Sequence, residues 1–556
     1  MLNLEFPSRS SDLEEGVVYT KAWVVELLLG LANYVESANL VDALAVEPSA
    51  GRGAFLVPMA LRLVASCRRQ GRPLDDCLSS LIAFEINEAS ATTARTSVIR
   101  ALKAAEVGEG DASRLAGAWV RPGDYLLQAP KLPRAGFVLG NPPYVRLEEI
   151  PAQTAAIYRR MYATMRGRAD LYVAFLEAGL RQLRPDGVCA FICADRWMLN
   201  QYGAELRRLV TSGFGVETVV EMHDADAFDS QVSAYPAITV IRRGEQGRAV
   251  VASAGPEAAT MDGPALARSL RASTRGDGAE ARPGVKSVVV DGWFDGPDPW
   301  PCQSPARLSL LRRLEEQFAP LESGAHHIKI GIGVATGRDE VFITKDPTLV
   351  EGSRLLPLAM ASDLQSGQLR WSGHYLVDPW AADGLVDLDK YPKMKTYFEI
   401  HEILIRNRNT SQRNPLGWYR TIDRVNHDLT SKPKLYIPDI KSVFNPVLDR
   451  GETYPHHNLY FVQSDAWDLE VLGGILLSAV GQFFIECYGV RMRGGYLRFQ
   501  AQYLRRIRVP GPTQVPPTLA TELIRAFRRR DRPLATRAAA ELYGLDPRDL
   551  EADLGR

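Results

Sequence analysis

The chain of 556 residues has no net charge: 66 Lys and Arg face 66 Asp and Glu. A protein that coats a polyanion is basic overall, so a histone-like role is excluded, and any polyanion must be met by a local patch. CxxC pairs are missing, as is any zinc-ligand spacing among the six cysteines Cys67, Cys77, Cys189, Cys193, Cys302 and Cys487. In so long a chain these read as reduced, mostly buried thiols, which implies a cytoplasmic location. The eight histidines include the pairs His326-His327 and His456-His457. Neighbours on a strand or helix point apart, so the pairs are expected to chelate poorly and no metal site is expected. The opening MLNLEFPSRSSDLEEG is too acidic and too weakly apolar for a signal peptide. The longest apolar run, Val471 to Ile485, falls short of the ~18 residues a membrane span needs. A buried helix, and no membrane, is the expectation.

Apolar residues make up 46% and charged residues 24%, which rules out disorder along the whole chain and low-complexity architectures. The length suggests two or three domains. From about Val17 to Arg243, apolar strands alternate with helical patterns: LVDALAVEP, AFLVPMALRLVASCRRQ, SSLIAFEIN, GFVLGNPPY, DLYVAFLEAGLRQL, GVCAFICAD and ITVIRR. Continuously apolar strands separated by helices predict an α/β fold with a doubly wound, mostly parallel sheet. From Gly244 to about Pro301 the pattern weakens, and GDGAEARPG and DGPDPWP read as loop or linker. Beyond it lie short mixed elements rich in aromatics, then a helical, charged tail.

The segment Glu47-Pro48-Ser49-Ala50-Gly51-Arg52-Gly53-Ala54-Phe55 is a strand end, a small-residue loop and a helix start. Glycines let a ligand approach the backbone, and the helix N-terminus offers N–H groups. It is neither a GxxxxGK[ST] loop nor a full GxGxxG fingerprint. The acid Glu47 would repel a pyrophosphate and suits a cationic or zwitterionic ligand such as S-adenosylmethionine. Glu85 ends the second strand, where α/β folds hydrogen-bond ribose hydroxyls. The most specific segment is Asn141-Pro142-Pro143-Tyr144, straight after the strand FVLG. An exocyclic amino nitrogen on an aromatic ring is a poor nucleophile because its lone pair is delocalised. Two acceptors on its hydrogens, the Asn141 amide oxygen and the Pro142 carbonyl, favour a tetrahedral nitrogen and free that pair. The prolines stiffen the loop, so the acceptors are preorganised. Tyr144 offers a face on which a base can stack.

With these motifs in order, the chain resembles the TaqI-like, gamma-class N6-adenine DNA methyltransferases of type II restriction-modification systems, over about residues 17–243. VYTKAWVVELLL resembles the segment that packs on the cofactor's methionine end, implicating Thr20; the usual Thr-Pro is Thr20-Lys21 here. EPSAGRGAF resembles the cofactor loop, implicating Ser49, Gly51 and Gly53. Gly123-Asp124-Tyr125 resembles the segment holding the cofactor's adenine, with Asp124 accepting from its amino group and Tyr125 covering its face. AFDSQVSAYPAITVI places Phe228 as the second aromatic against the flipped base. IGIGVATGRDEVFITK resembles the opening of a specificity domain. The resemblance implies a class I S-adenosylmethionine-dependent catalytic domain at residues 1–250, a linker at 251–303, a mixed α+β target-recognition domain at 304–510 and a helical tail at 511–556. It implies S-adenosyl-L-methionine as cofactor and double-stranded DNA as substrate. No acidic base is needed, because the methylated amine loses its proton easily to water.

Two basic stretches suggest the DNA contacts. Arg491 to Arg508 holds six arginines and no acid, interleaved with Tyr496, Phe499 and Tyr503. Arg406, Arg408, Arg413, Arg420, Arg424, Lys432 and Lys434 form the second. Arg491, Arg493, Arg498, Arg420 and Arg424 are taken as DNA-binding, since Arg reads base edges and neutralises phosphates. The same loop chemistry suits an N4-cytosine amine, and resembles that of RNA and protein-glutamine methyltransferases, which lack so large a second half. A binding protein with a degenerate cofactor site is opposed by the intact Glu47, Gly51, Gly53, Asp124, Asn141 and Tyr144. A monomer is expected, with any cognate restriction endonuclease a separate chain.

Overall fold

The computed structural model describes residues 20–546 apart from 168, 230–235, 276–283, 303–304, 490 and 493–495. It divides into two compact units, Met1–Pro305 and Ala306–Arg556. The first is built on one nine-stranded sheet: β1 (Ala45–Glu47), β2 (Leu81–Glu85), β3 (Val120–Pro122), β4 (Ala135–Gly140), β5 (Leu183–Ala194), β6 (Phe214–Glu221), β7 (Pro236–Arg243), β8 (Arg248–Ala254) and β9 (Val285–Asp291). The order is β3-β2-β1-β4-β5-β7-β6-β8-β9. β3 through β5 run parallel, and β7 inserts antiparallel between β5 and β6. The winding reverses between β1 and β4, which opens a crevice at their carboxyl ends.

β5 is apolar on both faces because both are covered. Val188, Ala190 and Ile192 join one core with residues of α1 (Ala22–Leu31), α2 (Leu56–Arg69) and α3 (Glu88–Ala104). Their neighbours in the alternation, Cys189 and Phe191, lie against Gly179 of a helix over Tyr172–Gln182, where a Cβ would stand 3.2 Å from Cys189 Sγ. Residues i and i+2 of a strand share a face, so this alternation places a helix layer on each side of the sheet. α2 repeats its apolar positions at helical spacing, burying Leu56, Met59, Ala60, Leu63, Val64 and Cys67. At α3, the Asn87 side chain accepts from the Ser90 N–H at 2.9 Å and caps the helix.

The segment expected to be a linker, 251–303, belongs to the fold. β8 lies parallel beside β6 and β9 antiparallel beside β8. Between them a helix over Gly263–Arg275 packs on α1, where a Cβ on Gly30 would lie 2.6 Å from Ala267 Cβ. Two small residues thus let the helices approach closely. Of the loop-like stretches, residues 276–283 lie outside the described residues, while DGPDPWP forms an ordered turn that buries Trp300.

The second unit holds an antiparallel sheet of Ile328–Ile332, Leu459–Ser464, Lys434–Pro438 and Val447–Asp449 and a smaller mixed sheet of 343–344, 375–377, 355–359 and 454–455. The expected helical tail, described up to residue 546, packs on this unit. Its helix Pro517–Arg529 packs on Leu469–Leu477, where Cβ atoms on Gly473 and Gly474 would stand 2.4 Å from the Phe527 ring and 2.6 Å from Leu523 O. The apolar run 471–485 is two buried helices rather than one. They break at Ser478, bend by 62°, and the Ser478 hydroxyl caps the second. Among the described residues no single helix is long and apolar enough to cross a membrane.

Candidate active site

The loop after β1 wraps around the end of β2. The Gly51 N–H donates to Glu85 Oε2 at 2.7 Å and the Asn87 N–H to Oε1 at 2.8 Å, so the loop and the start of α3 clamp one carboxylate. Gly51 and Gly53 have φ of +55° and +101°. Any side chain would strain this turn. Ser49 is half-buried in the same loop. Glu47 is only 1% exposed, and its Oε2 has no hydrogen-bond partner among the described residues. Burial, and then the charge of Glu85, push its carboxyl well above the ordinary range. An unsatisfied buried carboxylate is costly, so this one awaits a donor or a cation. The glycine turn, the clamped Glu85 and the orphaned Glu47 oxygen fit a zwitterionic, ribose-bearing cofactor.

The next loop caps β2: the Gly123 N–H donates to Glu85 O at 2.9 Å. Asp124 accepts from the Leu126 N–H at 2.8 Å through Oδ1 and from the Tyr158 hydroxyl at 2.5 Å through Oδ2. Burial raises its carboxyl above the usual value, partly offset by those bonds. Tyr125 departs from expectation. Its ring is 1% exposed, packed 5.8 Å from Phe84 and 5.7 Å from Phe175, and its hydroxyl donates to Gln182 Oε1 at 2.8 Å. It supports the loop from within the core and presents no face for a cofactor to lie on. Tyr158 and Tyr162 cover the loop instead, Tyr162 donating to Leu126 O. An aromatic pair at i, i+4 shortly after the double proline was the available signal for them.

At the end of β4, Gly140 takes a φ of +149° and the chain turns into Asn141. The Asn141 amide nitrogen donates to Thr20 Oγ1 at 3.1 Å, which fixes the rotation of the carboxamide. Thr20 in turn bridges Phe228 in backbone pairing. The Tyr144 and Phe228 rings meet edge to face, with centroids 6.2 Å apart and planes at 82°. Pro142 is buried. The structure therefore gathers Thr20, Asn141, Pro142, Tyr144 and Phe228 at one point. Lys21, which stands where a proline is usual, forms an ion pair with Asp226, and the Trp23 indole donates to Asp226 O at 3.2 Å. That link ties α1 to the Phe228 segment and had no sequence signal. Beside Tyr144, His223 Nε2 lies 2.7 Å from Asp195 Oδ2, joining the ends of β5 and β6.

The arginines of the second unit are less available than their sequence suggests. Arg498 is paired with Asp439, Arg505 with Glu322 and Arg508 with Glu315. Arg498, expected to bind DNA, has its charge balanced by Asp439. Arg408 is 7% exposed and donates to the carbonyls of Ile405, Thr336, Trp418 and Arg420. Lys434 is fully buried against Asp449 at 2.7 Å. Both are structural. Arg420 and Arg424 stack over Trp380 at 5.4 and 5.7 Å, and neither forms an ion pair among the described residues. Arg491 begins a two-residue strand, and Arg493 lies outside the described residues.

The strand order, with its one antiparallel insertion, and the crevice-end acids define a class I S-adenosylmethionine-dependent methyltransferase, whose cofactor is S-adenosylmethionine. A model of the Eco57I restriction-modification methylase family matches residues 134–228. The chain is 42% identical to type II methyltransferase M.PaeR7I of Pseudomonas aeruginosa, covering 97% of this chain and 93% of that one. It is 42% identical to M.XhoI of Xanthomonas vasicola, over 96% and 98%, and 38% identical to M.BstVI of Geobacillus stearothermophilus, over 96% and 97%. The chain belongs to the type II methyltransferases of restriction-modification systems and is a DNA-methylating enzyme. Among solved structures it is similar to the type IIL restriction-modification enzyme MmeI, with a TM-score of 0.57 and 12% identity, over 96% of this chain and 73% of that one. A nuclease-deletion mutant of the type ISP enzyme LlaGI gives 0.53 and 12%, over 92% and 54%. At such identities these two likenesses concern the fold alone.

Proposed function

We propose that the chain transfers a methyl group to the N6 amino group of an adenine turned out of duplex DNA, protecting that site from a cognate endonuclease carried on a separate chain. The observation that carries this reading is the Asn141 carboxamide, held by Thr20 at 3.1 Å at the end of β4, beside the edge-to-face pair of Tyr144 and Phe228. S-adenosylmethionine supplies an electrophilic methyl on a sulfonium. Glu47 faces its cationic end, Glu85 accepts from its ribose hydroxyls, the loop of Ser49, Gly51 and Gly53 lines it, and Asp124 accepts from its adenine amino group. Asn141 Oδ1 and the Pro142 carbonyl accept the two hydrogens of the target amine and bring the nitrogen lone pair toward the methyl. Tyr144 stacks on a face of the base and Phe228, at 82° to it, packs against the base as a second aromatic, offsetting part of the few kcal/mol that extrusion costs. Adenine rather than cytosine rests on the resemblance to the gamma class, since the two acceptors serve either amine.

The first unit acts as the catalytic domain and the second as the target-recognition domain. Arg420, Arg424 and Arg491 supply phosphate or base contacts there. The enzyme works as a cytoplasmic monomer, methylating one strand at a time. The test is transfer of labelled methyl to unmethylated DNA, with RNA and protein alongside, followed by identification of the modified nucleoside. N6-methyladenine supports the proposal. N4-methylcytosine overturns the base assignment, and label in RNA or protein overturns the DNA reading.

A further inference from the structure

The second unit carries a cluster that methyl transfer does not use. His456 and His457 were expected to point apart, yet their ring centroids lie 4.0 Å apart, at 56°. The reason is that neither residue sits in a regular strand or helix. Residues 454–455 form a short strand, Val334 bridges His456, and the chain bends before the strand Leu459–Ser464. At Gly333 a Cβ would stand 2.2 Å from His456 O, so a glycine is required for this approach. The His457 N–H donates to Val334 O at 3.1 Å, and both rings face the turn that leads into Asp339.

We propose that Asp339, His456 and His457 form a binding site for a divalent transition-metal ion, zinc being the natural occupant. One donor atom from each residue lies within 4.8 Å of the other two. His456 Nε2 is 3.1 Å from Asp339 Oδ2. Two ligands at about 2.0–2.1 Å from a tetrahedral zinc stand about 3.3 Å apart, so this spacing suits shared coordination as well as a hydrogen bond. A second, independent observation points to a ligand. His456 is 2% exposed, and the buried Nδ1 of His457 has no hydrogen-bond partner among the described residues, which leaves it available as a ligand while His456 uses Nε2. By contrast, His427 beside Asp378, at 2.6 Å, has no third donor among the described residues and reads as an ordinary pair. Two imidazoles and a carboxylate suit zinc better than magnesium or calcium. The Asp339 side chain is 47% exposed, which leaves an entry path and room for water to complete the shell.

The ion would staple the loop 333–340 to the start of the strand Leu459–Ser464, fixing the two segments by coordination as well as by Gly333. The test uses the full chain, stripped with a chelator, then given Zn²⁺ alone and desalted. About one zinc retained per chain is expected in the wild type, falling at least fivefold in His457→Ala and Asp339→Asn and unchanged in the control His401→Ala. Co²⁺ added to the wild type, which needs no variant to fold, should give visible bands of four- or five-coordinate cobalt, abolished by competing Zn²⁺. Retention no greater than in His457→Ala, or a Co²⁺ spectrum like that of the hydrated ion, overturns the proposal.

Discussion

The loop that ends β4 and the arginine-rich stretches of the second unit were both conspicuous in the sequence, and the fold treated them in opposite ways. Asn141, Pro142 and Tyr144 are neighbours in the chain, on a backbone that two prolines hold. The fold has only to add Thr20 and Phe228 from elsewhere. The arginines from 491 to 508 have no acid near them in sequence, yet the fold brings Asp439, Glu322 and Glu315 to three of them. A motif whose function is short-ranged survives folding. A charge patch read along the chain does not, because a charge is balanced through space by whatever the fold places near it.

The largest expected effect tests the local side of this contrast. Asn141→Ala should lower the rate of methyl transfer by roughly 10²–10³-fold or more while leaving DNA affinity nearly unchanged, as for loss of one preorganised polar group. Single-turnover methylation and a binding titration check it, and equal loss of both would remove the asparagine from the chemistry. Next is Arg408→Ala. It removes the guanidinium bonds to the carbonyls of Ile405, Thr336, Trp418 and Arg420, leaving those of Thr336 and Arg420 without that donor, and should cost about 2–3 kcal/mol of stability, read by denaturant unfolding. A stable variant with weakened DNA binding would restore Arg408 to the interface.

The third prediction concerns Glu47. Its carboxyl is raised in the folded protein, so without cofactor the protonated form is favoured, and stability is lost as pH rises from the ordinary carboxylate range through the raised value. A cation bound beside it favours the carboxylate. Cofactor affinity should therefore climb about tenfold per pH unit through that window and flatten above it. Glu47→Gln should be flat throughout in calorimetric titrations, and a sloping variant would place the titrating group elsewhere. The smallest effect separates two arginines. Arg424→Ala should reduce the salt dependence of DNA affinity by about one ion, and Arg498→Ala by much less, because Asp439 already balances it. Equal slopes would break the contrast.

How much could be read in advance follows the same division. The α/β pattern, the loop glycines, Glu85 and Asn141 were legible because each rests on local periodicity or turn geometry. β8, β9 and the helix between them were missed, because the apolar runs of β8 and β9 are broken by Ser253, Lys286 and Ser287 and flanked by loop-like stretches. Tyr125 was misplaced because an aromatic beside a loop acid reads alike whether it faces a ligand or the core. Only Phe84 and Phe175 decide between them. The Lys21–Asp226 pair spans 205 residues and has no local signature at all.

That pair also dates the docking of the Phe228 segment on α1 during synthesis. Lys21 leaves the ribosome long before Asp226; at roughly 5–20 residues per second the gap is about 10–40 s. Through that interval β1 to β4 can already pair, yet Thr20 has no Phe228 to bridge. A nascent or prematurely terminated chain thus carries the double-proline loop without the ring that meets Tyr144 edge to face. The cluster of Thr20, Asn141, Tyr144 and Phe228 is complete only when translation has passed Phe228.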